Sequence, residues 1–442
     1  MRTTSRREFL QTTAAIGAGY WVAGGVAAQE SRSPNEKVQV ACVGVGGKGR
    51  SDAEAANRLG KVVALCDVDA KFREGLAALM KVDHQYVDYR EMFDALGDEF
   101  DAVTVSTPDH THAVIAAAAM KLGKHVYCQK PLTRTIWEAR RLSELAKQHN
   151  VVTQMGNQHM AYAPMRKAAY QIREGMLGTV SEVHVWTNRP IWPQGGDQPA
   201  EQPVPETLDW AQWLGPAEMR PYGRGYHPFE WRGWWDFGTG ALGDMACHNC
   251  GLPFMALNMR DPVAVEAQTS GHNGKSFPKW SQITFDFPEL DGRAPLKLYW
   301  YDGGKIPDPK LFSGVTVKNP DGSPAPNISG CLIMGDKGTL YAAGSYANEG
   351  IQVIGTEETK GDYPRSRGHE EEFYDGIRNP EKVPTSNFVT YSGPLTETTL
   401  LGNLAVWKQG RVEWDAKTMT PLNDPSLMKI VKPEYHNGYG LI

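Results

Sequence analysis

Residues 38–67 read VQVACVGVGGKGRSDAEAANRLGKVVALCD, and this one stretch restricts the fold more than any other. An apolar run ends at Gly44-Val45-Gly46-Gly47-Lys48-Gly49, an Ala-rich segment follows, and a second apolar run closes on Asp67. Strand, glycine turn, helix and strand in that order describe a βαβ unit whose turn glycines carry no side chains to hold an anion away. Backbone N–H groups at the start of the helix then face the pyrophosphate of a dinucleotide, and the helix dipole favours its charge. A carboxylate at Asp67 accepts from ribose hydroxyls and repels a 2′-phosphate, which favours NAD, while Lys71 and Arg73 nearby leave NADP open.

The same alternation continues to residue 158. Strand-like runs DAVTVSTP, HVYCQKP and VVTQMGN are separated by the helical segments THAVIAAAAMKLG and TRTIWEARRLSELAKQHN. Alternating elements of this kind wind a parallel sheet on both faces, and ligand binds beyond the carboxyl ends of its strands. A Rossmann-type dinucleotide domain is expected over residues 36–158.

After residue 160 the pattern changes. One helix, APMRKAAYQIREGMLG, leads into TVSEVHVWTN, PVAVEAQTS, SQITFDFP, LKLYWYDGG, CLIMGD, GTLYAA and IQVIG, a run of strands that predicts an α+β domain on a large, mainly antiparallel open sheet over residues 159–420. Residues 421–442 follow as a C-terminal tail. A chain of 442 residues accommodates two such domains. Seven of the thirteen Trp fall between Trp186 and Trp235, in a Pro/Gly-rich insertion. Aromatic faces suit the C–H faces of sugar rings, so Trp234 and Trp235 are candidate substrate contacts, although a long loop also needs large side chains to hold it down.

The segment GALGDMACHNCGLPFMALNM reads as one helix with Asp244 and His248 at i and i+4, on one face. A carboxylate beside an imidazole orients it and favours its protonated form, as acid–base chemistry uses; the same pair also fits a packed core histidine. Cys247 and Cys250 form a single C-x-x-C, and without a second pair they read as buried thiols rather than metal ligands, so no metal site is expected. Net charge is −5, and removing residues 1–28 takes away three Arg and one Glu, so the remainder is more acidic still. That balance argues against nucleic acid as a partner.

The N-terminus combines Ser5-Arg6-Arg7-Glu8-Phe9-Leu10, a weakly apolar Ala/Gly segment and the small-residue ending Val26-Ala27-Ala28. Charged start, apolar middle and A-x-A-like end predict a twin-arginine signal peptide over residues 1–28, and hence a periplasmic or secreted protein. No other stretch reaches the roughly 18 apolar residues that span a bilayer, so no stable membrane anchor is expected.

Taken together, GVGGKG, Asp67, Thr107-Pro108, His112, Gln129-Lys130-Pro131, Gly243-Asp244, His248 and the turn Gly335–Leu340 resemble the Gfo/Idh/MocA family of glucose-fructose oxidoreductase and inositol dehydrogenase. The resemblance implies NAD-dependent redox chemistry on a sugar, polyol or glycoside, and a homo-oligomer formed through the C-terminal sheet. It implies cofactor contacts from Gly44, Gly46, Gly47, Lys48, Gly49, Asp67, Thr107, Pro108, His112, Gln129 and Lys130. Lys130, Asp244 and His248 take the catalytic positions, and Asn157, His159 and Tyr162 are weaker candidates for substrate. Two departures stand out: Gln129 replaces the family's usual Glu, and Gly251 stands where an Asp often follows the His. Export also separates the enzyme from any soluble NAD pool, which predicts a tightly retained cofactor and oxidation of one sugar coupled to reduction of another. Redox-neutral glycoside cleavage through a transient keto-sugar, and a non-catalytic sugar-binding protein, are the alternatives.

Overall fold

Each apolar run before residue 158 forms a strand, and each helical segment between them crosses over a sheet. The computed structural model describes residues 37–319 and 321–441, so the expected signal peptide lies outside the described residues. Strands β1 (Gln39–Val43), β2 (Lys61–Cys66), β3 (His84–Tyr86), β4 (Ala102–Val105), β5 (His125–Cys128) and β6 (Thr153–Met155) form one sheet in the order β3-β2-β1-β4-β5-β6. Every pair is parallel. Strand β3 has no counterpart among the apolar runs: it is a three-residue polar edge, largely exposed, and carries no hydrophobic signal. Helices α1 (Lys48–Leu59), α2 (Ala70–Met80), α3 (Tyr89–Leu96), α4 (Asp109–Lys121) and α5 (Ile136–Gln148) make the crossovers. The reversal between β1 and β4 opens a crevice beyond the strand ends, where the glycine turn sits.

Helix α6 (Ala163–Arg173) leads into the second sheet. Its strands are β7 (Val180–Trp186), β8 (Ala264–Thr269), β9 (Ser281–Phe287), β10 (Leu296–Tyr301), β11 (Gly330–Gly335), β12 (Thr339–Ala343), β13 (Glu349–Ile354), β14 (Arg411–Asp415) and β15 (Thr420–Pro421). They lie in the order β13-β12-β11-β7-β10-β9-β8-β14-β15. Among the described strands of this sheet only β7 and β10 pair in parallel, so the expected mainly antiparallel sheet is present.

Six further α-helices order the loops among the described residues. Short α7 (Trp210–Leu214) lies in the Trp-rich insertion, α8 (Gly240–Asn249) and α9 (Gly251–Leu257) follow it, and α10 (His369–Arg378), α11 (Gly393–Lys408) and α12 (Met428–Val431) complete the set. The single helix expected over GALGDMACHNCGLPFMALNM divides at Cys250, because Pro253 has no N–H to continue the ladder from Asn249. Helix α10 returns to the first sheet, where Phe373 and Tyr374 are buried against Val38, Val40 and Leu65. Large side chains buried in this way contribute about 1.5–3 kcal/mol each, enough to fasten a late segment onto an early domain. All six cysteines are free and buried, and burial pushes the thiols of Cys42, Cys247 and Cys331 up to about 12. The C-x-x-C is therefore core packing. No described helix is long and apolar enough to cross a membrane.

Candidate active site

The glycine turn is held by its own geometry. Gly44 has φ +77°, and a Cβ there would meet the Ser106–Thr107 backbone at 2.8 Å; a Cβ on Gly49 would stand 2.0 Å from the Gly44 carbonyl oxygen. Gly47, at φ +51°, has open space where its Cβ would be. A turn packed hard against β4 behind and open in front is the cradle that a phosphate group fits, at the N-terminus of α1. Asp67 fastens the turn: Val45 and Gly46 N–H donate to its Oδ2 (2.7 and 3.2 Å) and Asp69 N–H to its Oδ1 (2.9 Å). Burial pushes its carboxyl pKa up against those bonds, and the group still lines the cleft. Arg73, which left NADP open, donates to the Asp67 carbonyl oxygen (2.8 Å). These residues fit a dinucleotide, with Gly44, Gly46 and Gly47 under its phosphates and Asp67 at a ribose.

Behind the turn, buried Asp52 accepts from Lys48 Nζ (2.6 Å), Ser106 Oγ (2.7 Å) and Gln129 Nε2 (2.8 Å), tying α1 to the loops after β4 and β5. Lys48 is thus engaged with its own helix. The same contact accounts for Gln129: a Glu there would set a second carboxylate against Asp52 in a buried place, whereas the amide donates. Thr107 and Pro108 line the cleft. His112 does not, because its ring nitrogens lie 2.8 and 2.7 Å from the carbonyl oxygens of Pro131 and Thr107; it braces the two loops from beneath.

At the other end of the same cleft, of about 680 Å³, stand Lys130, Asp244 and His248. Lys130, just past β5, donates to Asp244 Oδ1 (2.7 Å) and to the Asp244 carbonyl oxygen (3.2 Å). Two guanidinium groups also face Asp244: Arg232 Nε at 3.6 Å and Arg189 Nε at 3.9 Å. Burial acts to raise the Asp244 pKa, but Lys130, Arg232 and Arg189 together outweigh it and hold the carboxyl below its ordinary value. The expected Asp244–His248 partnership is not formed. Instead burial and then the Lys130 cation hold His248 well below the usual imidazole range, so it is neutral, and its buried Nδ1 has no hydrogen-bond partner among the described residues. Asp109, at the start of α4, accepts from Thr239 Oγ1 (2.7 Å) and is pushed by burial up to about 7.

The weaker candidates separate. His159 stacks on Tyr346 (3.6 Å between centroids) and stands edge-on to His248 (5.7 Å), so it backs the reaction end. Asn157 is buried, donating to the Cys247 carbonyl oxygen (3.4 Å), and Tyr162 is exposed; neither lines the cleft. Trp234 and Trp235 face away from it too. Trp234 Nε1 donates to the Gly225 carbonyl oxygen, and Trp235 stacks on Phe277, so both hold the insertion together. Its cleft-facing aromatics are Trp192, Trp213, Phe229 and Trp231. Arg189, Arg232, Asp109 and Tyr346 were not signalled by spacing, since each reaches the cleft from a different loop or helix start.

The insertion also closes the dinucleotide end. Asp69 bridges to Leu208 as an isolated antiparallel pair, Ala70 N–H donates to the Thr207 carbonyl oxygen (2.8 Å), and His227 Nε2 lies 3.1 Å from Asp69 Oδ2. The C-terminal tail lies over it: Tyr439 donates to Gln212 Oε1 (3.1 Å), the Arg90 guanidinium sits 4.5 Å from the Tyr439 ring, and Tyr435 donates to Glu138 Oε1 (2.8 Å).

The chain matches two family models: an oxidoreductase family described as an NAD-binding Rossmann fold, over residues 38–157, and the same family's C-terminal alpha/beta domain, over residues 162–294. A glycosyl hydrolase family 109 protein of Solibacter usitatus is 29% identical over 205 residues, 41% of this chain and 45% of that protein. Inositol 2-dehydrogenase 1 of Saccharopolyspora erythraea is 33% identical over 153 residues, 32% of this chain and 44% of that one. The chain thus spans under half the length of these curated relatives. An inositol dehydrogenase homolog of Azotobacter vinelandii, solved with NADH and myo-inositol, superposes with a TM-score of 0.58 at 17% identity, over 86% of this chain and 98% of that one.

Proposed function

This chain belongs to the Gfo/Idh/MocA oxidoreductase family, with its NAD-binding Rossmann domain, and from that premise we propose that it oxidises a carbohydrate or polyol hydroxyl and retains its NAD through turnover. The observation that carries the reading is the meeting of Lys130, Asp244 and neutral His248 at one end of a cleft whose other end is the glycine turn. NAD, which Gly44, Gly46, Gly47 and Asp67 would hold in the cleft, would supply the hydride acceptor for the carbinol carbon. His248 takes the hydroxyl proton, which a neutral, unpartnered imidazole is fit to do. Lys130 faces the developing oxyanion, and Asp244 holds the Lys130 ammonium in place. Carbon loses two electrons with the hydride, oxygen loses its proton to His248, and the product is a carbonyl; a second sugar carbonyl takes hydride and proton back by the reverse step.

Cofactor retention is supported by the insertion and tail that cover the dinucleotide end, and export by the Ser5–Leu10 run, Ala/Gly segment and Ala28 ending in the sequence. The test is to purify the exported protein, pass it through gel filtration and dialysis, denature it, and quantify released nucleotide. Stoichiometric NAD and a rate that added NAD scarcely raises are expected; cofactor-free protein dependent on millimolar NAD overturns retention. The family 109 relative favours a second reading on the same residues: the transient ketone acidifies the neighbouring C–H, the glycosidic substituent leaves, water adds, and the carbonyl is reduced again. Mass spectrometry of products from a sugar and glycoside panel separates the two.

A further inference from the structure

The reaction end of the cleft carries more positive charge than its own carboxylate matches. Lys130 alone makes the close contact with Asp244; Arg232 and Arg189 stand at 3.6 and 3.9 Å, beyond hydrogen-bond reach, so their N–H groups are not taken up by it. Among the described residues, Arg232 donates one hydrogen bond, to the Phe229 carbonyl oxygen (3.2 Å), and Arg189 donates to Asn188 Oδ1. The three cationic side chains keep 18%, 23% and 20% exposure for Lys130, Arg232 and Arg189, and all three line the cleft. The Arg232 guanidinium is fixed among aromatic rings, 4.2 Å from Trp231 and 4.8 Å from Phe229. A fork held in one orientation with free donors is suited to a planar or tetrahedral oxyanion.

The neighbouring titratable groups do not cancel this charge. Asp109 is buried and hydrogen-bonded to Thr239, and even when ionised it leaves the cations in excess. His248 and His159 are held neutral by burial and add nothing. The oxidised nicotinamide of a bound NAD would add one more positive charge. Resting on the proposed reaction site, we infer that the substrate bears an anionic group, a carboxylate or a sulfate on the sugar, and that Arg189 and Arg232 bind it while Lys130 and His248 face the hydroxyl to be oxidised.

Isothermal titration of the NADH-loaded enzyme with methyl β-D-glucuronide, methyl β-D-glucoside 6-sulfate and neutral methyl β-D-glucoside tests this directly. At least one anionic probe is expected to bind roughly tenfold or more tightly than the neutral one, the scale of one charge-assisted contact, and the two anionic arms tell carboxylate from sulfate. Arg189→Gln and Arg232→Gln should each shrink that preference, whereas Arg189→Lys should keep most of it; thermal melts identify a variant that has lost its fold, and the Arg189 pair then decides. Equal or weaker binding of both anionic probes, including no binding of any probe at tens of millimolar, overturns the inference. The oxidoreductase reading fails separately: an anionic probe that binds but yields no NADH from the NAD-loaded enzyme counts against redox chemistry and leaves the anion site, while faster oxidation of the neutral glycoside does the reverse.

Discussion

The two ends of the cleft are built in opposite ways. At the dinucleotide end, the turn, the helix start and the carboxylate that fastens them all come from residues 39–67, and their contacts are backbone to side chain over short distances in sequence. At the reaction end, Lys130 follows β5, Arg189 follows β7, Arg232 leaves a short helical turn of the insertion, Asp244 and His248 lie on α8, and Tyr346 follows β12. The first is a local motif within one βαβ unit. The second exists only when two sheets and an insertion with its own small core, around Trp210, Trp213, Tyr226 and Phe237, are all in place. Changes at the first should therefore affect cofactor and little else, and changes at the second should affect chemistry while the cofactor stays.

The strongest way to break that division is at Lys130 and His248. Lys130→Met and His248→Ala should each lower turnover by roughly 100-fold or more, the scale of a lost oxyanion partner or general base, with NAD still bound after gel filtration. Near-normal turnover in either variant removes that residue from the reaction, and loss of NAD shows that the two ends are not separable. Gly49→Ala is the converse. Its Cβ would stand 2.0 Å from the Gly44 carbonyl oxygen, a backbone atom that cannot move without opening the turn. Overpacking of about 1–3 kcal/mol should weaken NAD roughly tenfold to a hundredfold, and saturating NAD should restore most of the turnover. Unchanged affinity would mean that the turn is not the phosphate cradle.

This contrast also sets how much could be read before the structure. The parallel first sheet follows from strand and helix alternating to residue 158, and the glycine turn and Asp67 from spacing within one βαβ unit. Strand β3 did not, because a polar edge strand has no hydrophobic period. Lys130 was legible only through family resemblance; the i, i+4 spacing singled out Asp244 and His248 but put them beside each other, whereas the fold pairs Asp244 with Lys130 from another domain. Trp234 and Trp235 belonged to a conspicuous aromatic run, yet their indole N–H groups bond backbone carbonyls away from the cleft. Arg189 and Arg232 are ordinary residues in an irregular insertion, and nothing local distinguishes them from solvated cations.

A smaller effect sharpens the dinucleotide end. Asp67 both fastens the turn and lines the cleft, so Asp67→Ala removes two acceptor roles at once. NAD should weaken by about tenfold and its advantage over NADP should narrow, because the charge that opposes a 2′-phosphate is gone. Titration showing that the unaltered protein already binds NADP more tightly would rule out the assignment of Asp67 to a ribose.

The smallest effect concerns the charge that Lys130 imposes on His248. Burial is the first cause that holds that imidazole below its ordinary pKa and the Lys130 cation the second, ahead of His159, His369 and Arg189. Lys130→Met removes only the second, so the sign is fixed: with that positive charge gone the imidazolium form is less disfavoured, and the His248 pKa should rise, while burial and the remaining cations keep it below that of a solvent-exposed histidine. Stability follows the same sign. A histidine with a depressed folded pKa takes up its proton more readily in the unfolded chain, so its contribution to stability is present above the unfolded pKa near 6.5 and is lost as pH falls below it; the variant should lose less of it. Imidazole carbon shifts followed by NMR from pH 4 to 8, assigned by comparison with His248→Ala, read the shift without depending on turnover. A His248 pKa that stays in place or falls in Lys130→Met would show that the two groups do not share one field, and the reaction end would then have to be divided between Lys130 with its arginines and a histidine that acts independently.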